Sequence, residues 1–273
     1  MIAQSCDRTL FVLPEANKQH PAKYTDALLT TFARMLQGSA RILDPFGGEG
    51  GVFMLERWLP EAQIESIELE PEWAVCHPKT KVGNALALDY PDRSFDAICT
   101  SPTYGNRLAD KKRPVLSKWK KGVTTYADML GRPLSADNTG ALQWGPKYRA
   151  VHILAWTEAR RVLKPGGRFV LDIKDHYRNK ELQPVTDWHI SALQDLGFTL
   201  VEHVKVDCPG MRYGQNGEWR VNYESVILFT LKSTCPFDGV AYSLVPGYVI
   251  GYGCPVCGAI GFNHVNVDTE AQP

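Results

Sequence analysis

Apolar residues recur along the chain in two periods, and their alternation predicts a succession of helices and strands. Leu28, Phe32, Met35 and Leu36 fall at helical spacing between Tyr24 and Leu36, after Thr25 and Asp26, which suit a first turn. A short apolar run, Ala40 to Leu43, predicts a strand that enters Asp44-Pro45-Phe46-Gly47-Gly48-Glu49-Gly50-Gly51, and Val52 to Leu59 resumes a helical pattern. Ile64 to Leu69 predicts a second strand, ending at the acidic residues Glu68 and Glu70, and a third precedes Val82-Gly83-Asn84-Ala85. Asp96 to Cys99 predicts a strand that runs into Thr100-Ser101-Pro102-Thr103-Tyr104. Val151 to Leu163 reads as an amphipathic helix stopped by Lys164-Pro165-Gly166-Gly167, and Ile190 to Leu196 as a helix closed by Gly197. Phe169 to Ile173, Leu200 to Val206 and Val226 to Leu231 supply three more strands. This order predicts an α/β fold with a doubly wound, mainly parallel sheet whose ligands gather at the C-terminal ends of the strands. The glycine-rich and polar motifs sit at such ends.

With 273 residues, 44% of them hydrophobic, the chain can bury one sizeable core and carry a small appended module. Thirty Lys and Arg cancel thirty Asp and Glu, which excludes a generic polyanion binder, so any basic surface is local. No apolar run is long enough to cross a membrane and Met1 to His20 lacks a charged-then-apolar leader, so the cytoplasm is expected. Cys6, Cys76, Cys99 and Cys208 are scattered, which suits reduced thiols.

The glycine cluster Gly47, Gly48, Gly50 lets a backbone approach a ligand closely. Its spacing is neither the dinucleotide pattern nor a phosphate loop, which implies a ligand without a pyrophosphate. Glu68, at the end of the second strand, can accept hydrogen bonds from both hydroxyls of a ribose, with Glu70 as the runner-up. Asn84, beside Ala85, can pair with an adenine edge or serve simply as a turn residue.

Asp44-Pro45-Phe46-Gly47-Gly48-Glu49-Gly50 resembles the methionine-binding motif of class I S-adenosylmethionine-dependent methyltransferases, in particular the amino-methylating DNA enzymes. The resemblance implies that Asp44, Phe46 and the glycines hold the amino acid part of S-adenosylmethionine. His20-Pro21-Ala22-Lys23 resembles the upstream element of those enzymes, which implies that His20 and Lys23 close the methionine end. Thr100-Ser101-Pro102-Thr103-Tyr104-Gly105-Asn106-Arg107 resembles their Ser/Asp/Asn-Pro-Pro-Tyr element, with Ser at position 101 as in the cytosine N4 group. It departs from the pattern at Thr103, where a second proline and its fixed backbone angle are usual. The chemistry explains the residue types. An aromatic amine is a poor nucleophile, and the Ser101 hydroxyl and Pro102 carbonyl can hold its hydrogens beside the cofactor while Tyr104 stacks on the extruded base. Leu163 to Phe169 and Ile173-Lys174-Asp175-His176-Tyr177-Arg178-Asn179 extend the likeness, so that it covers residues 20 to 231.

Between Gly105 and Ala150 stand ten basic and three acidic residues, a local excess of seven positive charges interleaved with Trp119, Tyr126, Trp144 and Tyr148. This insert is expected to clamp DNA and offer a stacking surface, with Gly131 to Gly145 mobile until binding. Thr103, Asn106, Arg107, Lys111, Lys112, Arg113, Trp119, Lys174 and His176 are the expected substrate contacts. Cys235-Pro236-Phe237-Asp238 and Cys254-Pro255-Val256-Cys257 resemble zinc-ribbon knuckles, which implies a structural zinc on Cys235, Asp238, Cys254 and Cys257, with His264 as a substitute ligand. The expected organisation is a methyltransferase domain over residues 1–232, with the insert at 105–150, and a small ribbon-like extension over 233–273. DNA cytosine N4 methylation is the leading expectation, with either a monomer or a homodimer open. Adenine N6 in DNA, guanine N2 in RNA, a small-molecule substrate and an inactive nucleic-acid-binding protein are the alternatives.

Overall fold

A computed structural model describes residues 24–106, 109, 125–208 and 219–232, and the backbone of two further strands, 249–253 and 260–264. Thr25 caps the opening helix α1 (Asp26–Leu36) by accepting the Leu28 amide, as its position predicts. Then follow β1 (Arg41–Asp44), β2 (Gln63–Glu68), α2 (Pro71–Ala74), β3 (Thr80–Val82) and β4 (Phe95–Thr100). Within the insert lies α3 (Tyr126–Leu130), and at its end α4 (Pro146–Val162) begins, followed by β5 (Leu163–Ile173), the hairpin β6 (His176–Arg178) and β7 (Glu181–Gln183), α5 (Val185–Asp195), β8 (Phe198–Asp207) and β9 (Tyr223–Leu231).

The seven-stranded sheet runs β3-β2-β1-β4-β5-β9-β8. Its first five strands are parallel, and β9 is antiparallel to both β5 and β8. Both faces are covered. In β1, Ile42 packs toward α1 with Phe32 and Leu36, while Leu43 packs on the opposite face with Trp156 and Phe169. That is why β1 reads as a continuous apolar run rather than an alternating one. The strand order turns back between β1 and β4, which places the crevice for a ligand above their C-terminal ends.

Three expectations are corrected. Val52 to Leu59 forms a short 3-10 turn (Gly51–Arg57), not a full helix, because it is squeezed between Gly50, at φ 83°, and Pro60. Lys164 to Gly167 does not separate a helix from a strand. Leu163 already pairs with Phe95, and Arg168 with Ala97, so these residues bulge out within β5. The helix before it starts earlier than its apolar pattern, at Pro146, whose missing N–H costs nothing in a first turn. Strands β10 (Val249–Gly253) and β11 (Ile260–His264) form an antiparallel pair. The proposed zinc positions Cys235, Asp238, Cys254 and Cys257 lie outside the described residues. Among the described residues no helix is long and apolar enough to cross a membrane.

Candidate active site

A cavity of about 320 Å³ opens along the C-terminal edge of the sheet from β3 to β9, a volume at the lower end of small-molecule sites. Nine of the residues singled out from the sequence line it: Phe46, Glu68, Asn84, Ala85, Ser101, Pro102, Thr103, Tyr104 and Asn106. His20, Lys23, Arg107, Lys111, Lys112, Arg113 and Trp119 lie outside the described residues.

At the β2 end, the Glu68 carboxylate accepts the backbone N–H of Gly48 at 2.9 Å and that of Glu70 at 2.8 Å. Burial pushes its carboxyl up to about 7, since a charge there is poorly solvated. Asp44, Gly47, Gly48 and Gly50 lie behind the cavity wall instead of lining it. A Cβ on Gly47 would come within 1.8 Å of Ser66 Oγ, so the turn can pass this close to β2 only as glycine. Asp44 is buried, and its Oδ1 accepts from Thr100 Oγ1 at 2.7 Å and from the Phe46 amide at 3.0 Å. It thereby ties the glycine turn to the end of β4. Its other oxygen has no hydrogen-bond partner, and burial pushes the carboxyl up to about 7.

Glu70, the runner-up for a ribose, is occupied elsewhere. It is fully buried and accepts from Arg132 Nη2 at 2.6 Å, the Ser135 amide at 2.8 Å, Ser135 Oγ at 3.0 Å and Asn138 Nδ2 at 2.8 Å. Burial alone would raise its carboxyl, but these donors outweigh that and hold it below the usual range. The segment expected to be mobile, Gly131 to Gly145, is therefore folded onto this carboxylate. Through Asp137, Asn138 and Thr139 it forms one wall of the cavity.

At the other end, Ser101 Oγ lies 3.0 Å from the Tyr104 hydroxyl, which donates to Asp172 Oδ2 at 3.5 Å. Asp172 belongs to β5 and Glu224 to β9, and both line the cavity beside Cys208. Asp172 pairs in register with Val226, so Glu224, two residues on, is its diagonal neighbour on the same face. Burial first, then the adjacent Glu224 with which it shares a hydrogen bond, holds the Asp172 carboxyl well above the usual range. Its Oδ1 is buried without a partner. The sequence offered one signal for Asp172 that pattern reading passed over: a lone acid inside the apolar run Phe169 to Ile173. Lys174 does not reach the cavity. Its Nζ bonds the Cys208 carbonyl at 3.4 Å and stands 3.7 Å from Glu224. His176 opens the β6–β7 hairpin, off the cavity lining.

Thr103 lacks the rigidity of proline, and the structure supplies it by hydrogen bonds. The Tyr148 hydroxyl donates to the Thr103 carbonyl at 2.6 Å, and Thr103 Oγ1 donates to Thr139 Oγ1 at 2.9 Å. Trp156 Nε1 donates to His189 Nδ1 at 3.0 Å, so His189, neutral in its buried site, carries its proton on Nε2 and gives it to Tyr148, 3.0 Å away. This network corrects the expected stacking surface. Tyr148 and Tyr126 are buried, and Trp144 packs between Tyr148 and Trp188. Tyr148 and Trp144 brace the Ser101 to Gly105 corner from beneath, whereas Tyr126 packs against Trp73 and lines the cavity.

No protein-family model matches the chain, and no curated relative matches it in sequence. It is similar in fold to an S-adenosylmethionine-dependent methyltransferase from Methanosarcina mazei at 16% identity, covering 78% of this chain and 100% of the other with a TM-score of 0.46. A putative sarcosine dimethylglycine methyltransferase from Galdieria sulphuraria matches at 13% identity over 76% and 82% of the two chains, TM-score 0.47. The protein PH0226 from Pyrococcus horikoshii OT3 matches at 14% over 76% and 89%, TM-score 0.46. By its strand order, and by the cavity at the turning point of its sheet, the chain has an α/β, Rossmann-like fold.

Proposed function

We propose that the protein is an S-adenosylmethionine-dependent methyltransferase acting on the exocyclic amino group of a base in DNA, cytosine N4 foremost. The observation that carries this reading is the relay Ser101–Tyr104–Asp172 at one end of a cavity whose other end presents Glu68 and Asn84. The lining fits an adenosyl group: Glu68 is a carboxylate for vicinal hydroxyls, and Leu69, Trp73 and Leu86 give apolar flanks for a flat base.

When bound, the cofactor supplies a methyl group on a positively charged sulfur. The protein's own residues prepare the amine. Ser101 passes its hydrogen toward Tyr104, and Tyr104 passes its own to Asp172, so Ser101 Oγ turns its lone pairs to the target nitrogen. With the Pro102 carbonyl as second acceptor, both amine hydrogens are held and the nitrogen lone pair is freed from the ring. As the nitrogen gains positive charge, the Asp172 and Glu224 carboxyl groups on the cavity wall stabilise it in a poorly solvated site. The Tyr104 ring stacks on the extruded base, a contact worth about 1–3 kcal/mol. The basic run Arg107 to Lys121, directly after this corner, supports DNA as the partner by its capacity to pair with phosphates.

The test is incubation with duplex DNA and labelled S-adenosylmethionine, followed by digestion and identification of the nucleoside. N4-methylcytosine is expected. N6-methyladenine, or label in RNA guanine, would move the target, and label in neither nucleic acid overturns the reading. Ser101→Ala should lower the rate about 100-fold with donor affinity nearly unchanged, since the hydroxyl acts on the amine; equal losses of both would contradict its role.

A further inference from the structure

We infer that Asp137, delivered by the segment folded onto Glu70, is the main acceptor for the adenine amino group of the cofactor. The inference rests on the methyltransferase reading above. Asn84 Oδ1 accepts the Leu86 amide at 2.9 Å, which fixes the orientation of the side-chain amide. Its Nδ2 therefore points the other way and donates to Asp137 Oδ2 at 2.9 Å. Adenine carries donors on its amino nitrogen; toward them Asn84 presents an N–H and an oxygen already engaged by Leu86, with one lone pair left. Asp137 is the acceptor next to it on the cavity wall, and its carboxylate has lone pairs beyond the one that Asn84 engages.

Location agrees with polarity. With a ribose on Glu68, the attached base extends along the cavity toward β3, where Asn84, Ala85 and Asp137 converge. Asp137 stands between Ser135 and Asn138, both bonded to the buried Glu70 carboxylate, so its place does not depend on a free loop. Recognition of the base is thus assigned to the stretch of chain that follows the basic run and also contacts Thr103 through Thr139. Asp137 itself is exposed, so its replacement leaves the core intact.

Calorimetric titration of the full chain with S-adenosylhomocysteine and with S-inosylhomocysteine, in which an oxo group replaces the amino group, reads this directly. The natural chain is expected to prefer the adenosyl compound by on the order of ten- to a hundredfold, since a carboxylate facing the oxo group leaves both without a donor. Asp137→Asn should reduce that preference to about threefold or less, since an amide can turn an N–H toward the oxo group as readily as its oxygen toward the amino group. Equal weakening toward both compounds, or a preference unchanged in Asp137→Asn, overturns the inference. Failure of the natural chain to bind either compound would instead defeat the methyltransferase reading itself.

Discussion

Replacing Glu70 with Gln removes one oxygen from a buried carboxylate that receives four donors, two on each oxygen. Oε1 takes the Ser135 amide and Asn138 Nδ2; Oε2 takes Arg132 Nη2 and Ser135 Oγ. Whichever way the new amide is placed, its NH₂ faces two donors. If it replaces Oε2, Arg132 still has Glu72 at 2.7–2.9 Å and Ser135 Oγ can rotate, so the cost is the smaller one. If it replaces Oε1, a backbone N–H that cannot turn away is left unpaired. Each buried unpaired group costs about 1–3 kcal/mol and two donors are affected, so roughly 2–4 kcal/mol is expected after partial compensation. The cost falls on one segment, and hydrogen exchange read by mass spectrometry on peptides from 131 to 143 should therefore show a 30-fold or greater loss of protection, a lower bound from about 2 kcal/mol. Acid should do the same to the natural chain. Because the folded state holds the Glu70 carboxyl below its ordinary value, its contribution is present above about pH 4.5 and is lost as pH falls through the depressed value. Unchanged protection in Glu70→Gln would refute the assignment of Glu70 as the anchor of this wall.

Asp44→Asn tests a second buried carboxyl with the opposite sign. Its folded value, about 7 against 3.8, means that the protonated form is favoured in the fold, so stability from this group is complete below about pH 4 and is lost as pH rises through 7. The variant lacks this loss, and its melting temperature relative to the natural chain should climb between about pH 5 and pH 8, by the equivalent of roughly 2–4 kcal/mol; a gap that does not change with pH would contradict the burial argument. Binding to duplex DNA should weaken at least about 100-fold between roughly 50 and 200 mM salt if the basic run neutralises several phosphates. A flat response would favour a small-molecule substrate.

Local pattern along the chain is enough to give the alternation of strands and helices and the positions of the short motifs at strand ends. Both are local: a strand shows its burial in its own apolar run, and a turn shows its backbone needs in its own glycines. A parallel sheet brings the ends of β1 to β4 to one edge, so residues as separate as Glu68, Asn84 and Ser101 were legible as one site before any packing was known. Tertiary structure alone decided which polar groups find each other. Asp172 meets Glu224 through the register of an antiparallel strand, and no pattern in either strand encodes that register. Glu70 holds the wall that carries Asp137, and Tyr148 is core under Thr103 although it reads as part of an aromatic, basic surface. The reason is physical: a hydrogen bond depends on direction and sub-ångström distance between chain segments, which hydrophobic periodicity does not specify.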